Sequence, residues 1–111
     1  MESTRQHKIA RLIQKDLSRM FQQSQTLFGG AMITVTKTYV TRDLSIAKIY
    51  LSIFNAKEKG GVLTQVREHA REIRHQLGQR ERNQLRVIHE LQFFEDDSLD
   101  YIENIENLLK H

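Results

Sequence analysis

Met32-Ile33-Thr34-Val35-Thr36-Lys37-Thr38-Tyr39-Val40, Thr41-Arg42-Asp43-Leu44 and Ser45-Ile46-Ala47-Lys48-Ile49-Tyr50-Leu51-Ser52-Ile53-Phe54 follow one another without interruption. The first run is dense in β-branched and aromatic residues, which suit a pleated, half-buried surface. The third alternates: Ala47, Ile49, Leu51 and Ile53 fall on one side and Lys48, Tyr50 and Ser52 on the other. Side chains of a strand point to opposite faces with period two, so this is a strand with one wet face. The short connector between the two runs makes an antiparallel hairpin.

Downstream, Asn55 to Gly61 is a polar loop, and Val62, Leu63, Val66, Ala70, Ile73 and Leu77 then share one face of a helix expected to stop at Gly78. Arg67, Arg71 and Arg74 run along a flank of that face. Gln79-Arg80-Glu81-Arg82-Asn83-Gln84 is too polar for core and too helix-prone for a plain loop, so a kink and a short helical turn are expected there. Leu85 to Phe94 reads as a third strand, with Val87, Leu91 and Phe93 facing one way. Glu95-Asp96-Asp97-Ser98 then places anions at the positive end of a last helix, whose apolar side is Leu99, Ile102, Ile105 and Leu109. Upstream, residues 4–24 set Ile9, Ala10, Ile13, Leu17, Met20 and Phe21 at helical spacing behind an N-cap at Ser3 or Thr4.

The expected order is αββα(α)βα. With one apolar stripe per helix and alternating strands, the compact solution is an α+β domain: a three-stranded sheet with helices packed on one face. The connection from the second strand through the long helix to the third lets those strands run parallel by a right-handed crossover. At 111 residues the prior is one domain, 1–111, whose folding buries nearly two-thirds of the unfolded surface. No apolar run approaches the roughly 20 residues that span a bilayer, and Met1 to Gln6 lacks the apolar core of a signal peptide. With no cysteine there is no disulfide framework and no thiolate zinc site. The expectation is a soluble, unprocessed cytoplasmic protein.

Charge is polarised along the chain. Residues 1–86 carry 16 basic and 7 acidic side chains, while residues 87–111 carry 1 basic and 7 acidic. In the first helix Arg5, Lys8, Arg11, Lys15 and Arg19 fall within an arc of about 120° opposite the apolar stripe. A merely wet helix face mixes signs to gain i,i+4 pairs. Here Arg11/Lys15 and Lys15/Arg19 repel, and Asp16 alone lies near the row, so the row reads as a polyanion-binding stripe.

Residue patterns for catalysis are missing. There is no cysteine nucleophile and no Gly-x-Ser-x-Gly elbow, and Gly29-Gly30 and Gly60-Gly61 are isolated pairs without the rest of a phosphate loop or dinucleotide fingerprint. His7, His69, His75, His89 and His111 form no i,i+4 pair for a metal, and Glu95-Asp96-Asp97 reads as helix capping before it reads as a cation site. The sequence argues against an enzyme and against a cofactor or metal.

Asp43-Leu44-Ser45-x-Ala47-x-Ile49-Tyr50-Leu51-Ser52, Ile73-Arg74-x-x-Leu77-Gly78 and Leu85-Arg86-x-x-x-Glu90-Leu91-x-Phe93-x-x-Asp96-x-Ser98, in this order, resemble the ribosome-binding factor A family over nearly the whole chain. The resemblance implies a KH-like domain of the bacterial type. It also implies a non-catalytic role in late maturation of the small (30S) ribosomal subunit, with binding to 16S rRNA, a part in rRNA processing, a link to growth in the cold and release by a partner GTPase. KH domains clamp nucleotide backbone with a GXXG loop. In this family a helix-kink-helix with an alanine at the kink replaces the loop. Carried over by position, the junction is Gly78-Gln79-Arg80-Glu81-Arg82-Asn83-Gln84, which contains no alanine, and His89 stands where the third strand commonly has proline.

Two functions follow. In the first, Lys8, Arg11, Lys15 and Arg19 together with Arg74, Arg80, Arg82 and Arg86 contact rRNA phosphates, which position a protein without reading bases. The partner is the small subunit, and the chain acts as a monomer without a membrane. In the alternative, the chain is a KH-fold protein-interaction or regulatory module, marked by an exposed apolar patch to which Tyr39, Tyr50 and Phe54 could contribute. Strand aromatics are more often core, and no RNP-like aromatic run marks the sheet as a base-stacking surface.

Overall fold

The hairpin supplies two of the three strands of the sheet. The computed structural model describes residues 3–24, 28–54, 56, 58–80 and 88–96. In it β1 (Met32–Val40) pairs antiparallel with β2 (Ile46–Phe54), and β3 (Glu90–Glu95) runs parallel to β2 on its other side, so β2 is the middle strand. The parallel pairing expected from the helical connection is therefore present. Ile33 and Val35 of β1, Ala47, Ile49, Leu51 and Ile53 of β2, and Leu91 and Phe93 of β3 are buried, as the alternation requires.

The strict alternation is broken at one point of the hairpin. The register steps from Val35↔Leu51 to Lys37↔Tyr50, leaving Thr36 as the extra residue of a β-bulge. Thr36 Oγ1 donates to Asp96 Oδ2 at 2.6 Å and lies 3.2 Å from the Tyr50 carbonyl. The bulge exchanges the parity of β1, so that Val40 is buried while Lys37 and Tyr39 join the face that carries Tyr50 and Lys48.

The turn at 41–45 both closes the hairpin and anchors β3. Leu44 is buried at φ 65°, a left-handed conformation uncommon for a side chain of this size. Its N–H donates to the Thr41 carbonyl at 2.8 Å. Asp43 Oδ1 accepts from Ser45 N at 3.1 Å, Ser45 Oγ at 2.8 Å and Thr41 Oγ1 at 2.8 Å. These bonds, those from Ser45 first, hold the exposed carboxyl below its ordinary value. The Ser45 carbonyl in turn accepts from His89 N at 2.8 Å and Glu90 N at 3.3 Å, where β3 begins.

Helix α1 (Thr4–Gln23) starts at Ser3 with a capping box: Gln6 N donates to Ser3 Oγ at 3.1 Å and Ser3 N to Gln6 Oε1 at 2.7 Å. Gln6 is itself buried, and its Nε2 donates to the Val40 carbonyl at 2.8 Å, fixing the start of α1 over the end of β1. Ile9, Ala10, Ile13, Leu17, Met20 and Phe21 are the apolar face, and all are buried. Phe21 meets Phe28 and Phe93 edge-on, at centroid distances of 6.1 and 6.4 Å.

The second helical region departs from expectation. It is two helices, α2 (Lys59–Glu68) and α3 (Ala70–Arg80), and the break is at His69, not after Gly78. The periodic apolar face continues through Val66, Ala70, Ile73 and Leu77, so periodicity alone does not show the break. At the break, His69 has φ −94° and ψ 9°, its Nδ1 lies 2.8 Å from the Gln65 carbonyl, and its ring packs edge-on against Phe28. Gly78 is inside α3. Gly78, Gln79 and Arg80 of the expected junction are helical, and its remainder, residues 81–84, lies outside the described residues together with residues 85–87.

Two boundaries near β3 also move. Ile88 and His89 precede the strand, and Glu95, expected to open the last helix, is the final residue of β3. Asp96 continues the ladder, its N–H donating to the Leu51 carbonyl at 2.7 Å. The expected helix with Leu99, Ile102, Ile105 and Leu109 lies outside the described residues, as does Val87. The buried residues of all three helices and the inward residues of all three strands form a single core cluster on one side of the sheet. This is the α+β, KH-like arrangement. Among the described residues no helix is long and apolar enough to cross a membrane.

Candidate nucleic-acid interface

The face of α1 turned away from the core is cationic. Because the buried positions repeat with helical period, Arg5, Lys8, Arg11, Lys15 and Arg19 are left on the outside, and all five are exposed. Asp16, the acid nearest in sequence, is buried at 6% exposure, and its Oδ2 has no hydrogen-bond partner among the described residues. The row is thereby left with one sign of charge. Thr4, His7, Lys8, Arg11, Leu12 and Lys15 line a shallow depression along the helix. Flexible cations around an open surface suit an extended polyanion and do not suit a small enclosed ligand.

The arginines of α2 and α3 divide into two kinds. Arg67 donates from Nε and Nη2 to the Phe93 carbonyl at 3.0 and 2.8 Å, and Arg74 donates from Nε to the Ile88 carbonyl. Arg67 therefore braces the outer edge of β3, satisfying an acceptor that an edge strand would otherwise leave bare, and Arg74 braces the segment that leads into it. Arg74 is half-buried, its guanidinium turned to this backbone acceptor. Gly78 belongs to the same device: a Cβ there would collide with Arg74 Nη1. Arg71 and Arg80 are exposed. Arg82 and Arg86 lie outside the described residues.

Sequence reasoning assigned Arg74 to RNA and did not assign Arg71. The spacing of the arginines showed that they share a helix flank. It could not show which of them finds a carbonyl on β3, because that partner is a backbone atom brought in by the crossover. Together with Ala70, His89, Glu90 and Leu91, these arginines line a groove between α3 and the β3 edge.

On the other side of the sheet Tyr50 lies where the alternation of β2 places it, while Ser52, expected beside it on the wet side, is 1% exposed. Tyr39, Tyr50 and Phe54 are not core residues: they are half-buried on the face away from the helices, where Phe94 joins them. Tyr50 and Phe94 stack with centroids 5.3 Å apart and planes 28° apart, and Lys37 Nζ lies 5.8 Å from the Tyr50 centroid. Among the described residues no three His, Asp or Glu side chains converge as a metal site would require.

A family model described as ribosome-binding factor A matches residues 5–109. The ribosome-binding factor A of Cytophaga hutchinsonii is 42% identical over 110 residues, an alignment covering 98% of this chain and 83% of that protein. That of Christiangramia forsetii is 46% identical over 111 residues, covering 98% and 85% respectively. Among solved structures, ribosome-binding factor A from Thermus thermophilus superposes with a TM-score of 0.67 at 22% identity, over 81% of this chain and 94% of that one. At that identity the likeness is one of fold.

Proposed function

The chain belongs to the ribosome-binding factor A family, and from that premise we propose that it is a non-catalytic assembly factor that binds the small (30S) ribosomal subunit through 16S rRNA during late maturation and rRNA processing. The observation that carries the reading is the row Lys8, Arg11, Lys15 and Arg19: exposed, of one sign, and not offset by Asp16, which is turned inward. Phosphate contacts from such a row supply affinity through counterion release. Exposed Arg80 at the end of α3 and exposed Arg71 add to the cationic surface, and Arg82 and Arg86, which follow in the sequence, are assigned to the same role. Arg74 contributes by bracing the segment that leads into β3. The helix-kink-helix of the family corresponds in this reading to α2, His69 and α3, with Ala70 directly after the break.

The chain acts as a single domain and a monomer, in the cytoplasm, without cofactor. Its acidic end, net −6 over residues 87–111, restricts which surface can approach RNA. Release by a maturation GTPase and support of growth in the cold complete the proposal. The protein-interaction alternative needs a contiguous exposed apolar patch. Among the described residues Met32 is the exposed large hydrophobic, and the half-buried Tyr39, Tyr50, Phe54 and Phe94 share their face with Lys37 and Lys48, so the surface they make is a mixed one.

The test is binding of the purified chain to small subunits as a function of salt, beside a Lys8→Gln/Arg11→Gln/Lys15→Gln variant. If three phosphate contacts are lost, the slope of log affinity against log salt falls by about 2 to 3. An unchanged slope would remove α1 from the interface.

A further inference from the structure

We infer that the open face of the sheet is a second RNA surface, a platform on which bases of single-stranded RNA stack against Tyr50 and Phe94 while Lys37 and Lys48 meet the flanking phosphates. The choice of RNA as occupant rests on the ribosome-binding reading; the geometry is independent of it. Strand register places Lys37, Tyr50 and Phe94 in one row across all three strands, and Tyr39, Lys48 and Gln92 in the next. Cations and rings therefore alternate along β1 and β2 and across the pair, while the diagonals, at about 7–8 Å, match Lys37 with Lys48 and Tyr39 with Tyr50. The bulge at Thr36 creates this arrangement, since without the extra residue Lys37 and Tyr39 would point into the core.

The charge and the shape both fit a polyanion with flat faces. Tyr50 and Phe94 are already stacked on one another, so the pair is ordered before a base adds to the end of the stack. The two acids at the margins are engaged elsewhere: Glu90 Oε2 accepts from Gln92 Nε2 at 3.0 Å, and Asp96 Oδ2 accepts from Thr36 Oγ1 at 2.6 Å. They bracket the cationic rows and limit the platform to a few nucleotides. Stacking on aromatic side chains tolerates any base, and single-strand binders combine such rings with a positive groove. The α1 row lies across the sheet from this face, because the described helices α1, α2 and α3 share the opposite, core side. The protein can thus meet folded rRNA phosphates with one side and an unpaired strand with the other.

The test uses the full chain and a short single-stranded RNA containing 2-aminopurine, whose fluorescence is quenched on stacking. Saturable quenching is expected, weakened roughly 5- to 150-fold by Tyr50→Leu or Phe94→Leu, retained by Tyr50→Phe, and reduced by Lys37→Gln. Thermal melts check that each variant is folded, and the Tyr50→Phe result stands if a leucine variant is not. Lys8→Gln/Arg11→Gln/Lys15→Gln should leave the quenching in place while weakening subunit binding. Absence of quenching by the native chain, or quenching that the ring substitutions leave unchanged, overturns the platform. Quenching without any subunit association overturns the ribosomal reading and leaves the platform standing.

Discussion

Replacing Gly78 with alanine should destabilise the protein, although alanine is the better helix former. Gly78 is inside α3, where Gly→Ala ordinarily gains about 0.5–1 kcal/mol. Here the added Cβ would collide with Nη1 of Arg74, whose Nε is held on the Ile88 carbonyl. Ile88 is fully buried, so its acceptor is poorly placed to find water instead. A hydrogen bond from a charged donor contributes about 1.5–3 kcal/mol, and leaving a buried partner unmade carries a comparable penalty. With the bond wholly lost, subtracting the helical gain leaves a net loss of about 0.5–2.5 kcal/mol. The assay is urea unfolding of the native chain, Gly78→Ala, Arg74→Ala and the double variant, as a double-mutant cycle. Without Arg74 the same Gly78→Ala change should become stabilising by about 0.5–1 kcal/mol. If Gly78→Ala stabilises the native chain by as much as it does the Arg74→Ala background, then Gly78 does not make room for the Arg74 brace and the reasoning is refuted.

Leu77 is fully buried on the inner face of α3, and Leu77→Ala should cost about 2–5 kcal/mol in the same unfolding assay. A cost well under about 1 kcal/mol would mean that α3 packs by another face. Ser3→Ala removes the oxygen that accepts from Gln6 N and should lower stability by about 0.5–2 kcal/mol, read as a lower urea midpoint with unchanged m-value. The pKa of Asp43 is depressed by Ser45 and Thr41, so its contribution is fully present above its unfolded value near 3.8 and is lost as pH falls through the folded value. Asp43→Asn should therefore flatten the acid limb of the stability profile, and a limb that keeps its shape would show that the turn bonds do not favour the carboxylate.

What could be read from sequence follows from how local each cause is. The α1 stripe, the hairpin and the inward set of β2 are set by periodicities of about 3.6 and 2, and each appears in the structure with nearly the expected bounds. The Thr36 bulge could not be read, because β1 is an unbroken run of strand-forming residues and the extra residue appears only in the pairing with β2. The break at His69 is similarly hidden: no glycine or proline marks it, and its ring contact with Phe28 is made only in the folded chain. Gly78, which does look like a helix stop, is instead explained by a side chain one turn earlier. For the candidate site, exposure of the α1 cations followed from their position opposite the apolar stripe. The roles of Arg67 and Arg74 depended on carbonyls of residues 14 or more positions away. The aromatic rows of the open face needed the three-strand register, which no single strand contains.

The central claim is that the cationic surface attaches this protein to one ribosomal particle. Cosedimentation with small subunits, large subunits and assembled ribosomes at about 50 and 200 mM salt tests it most directly. Association with small subunits alone is predicted, falling about 10³- to 10⁵-fold in affinity across that range if some six to ten phosphates are contacted. Equal association with all three particles, none with any, or binding that is indifferent to salt would contradict it.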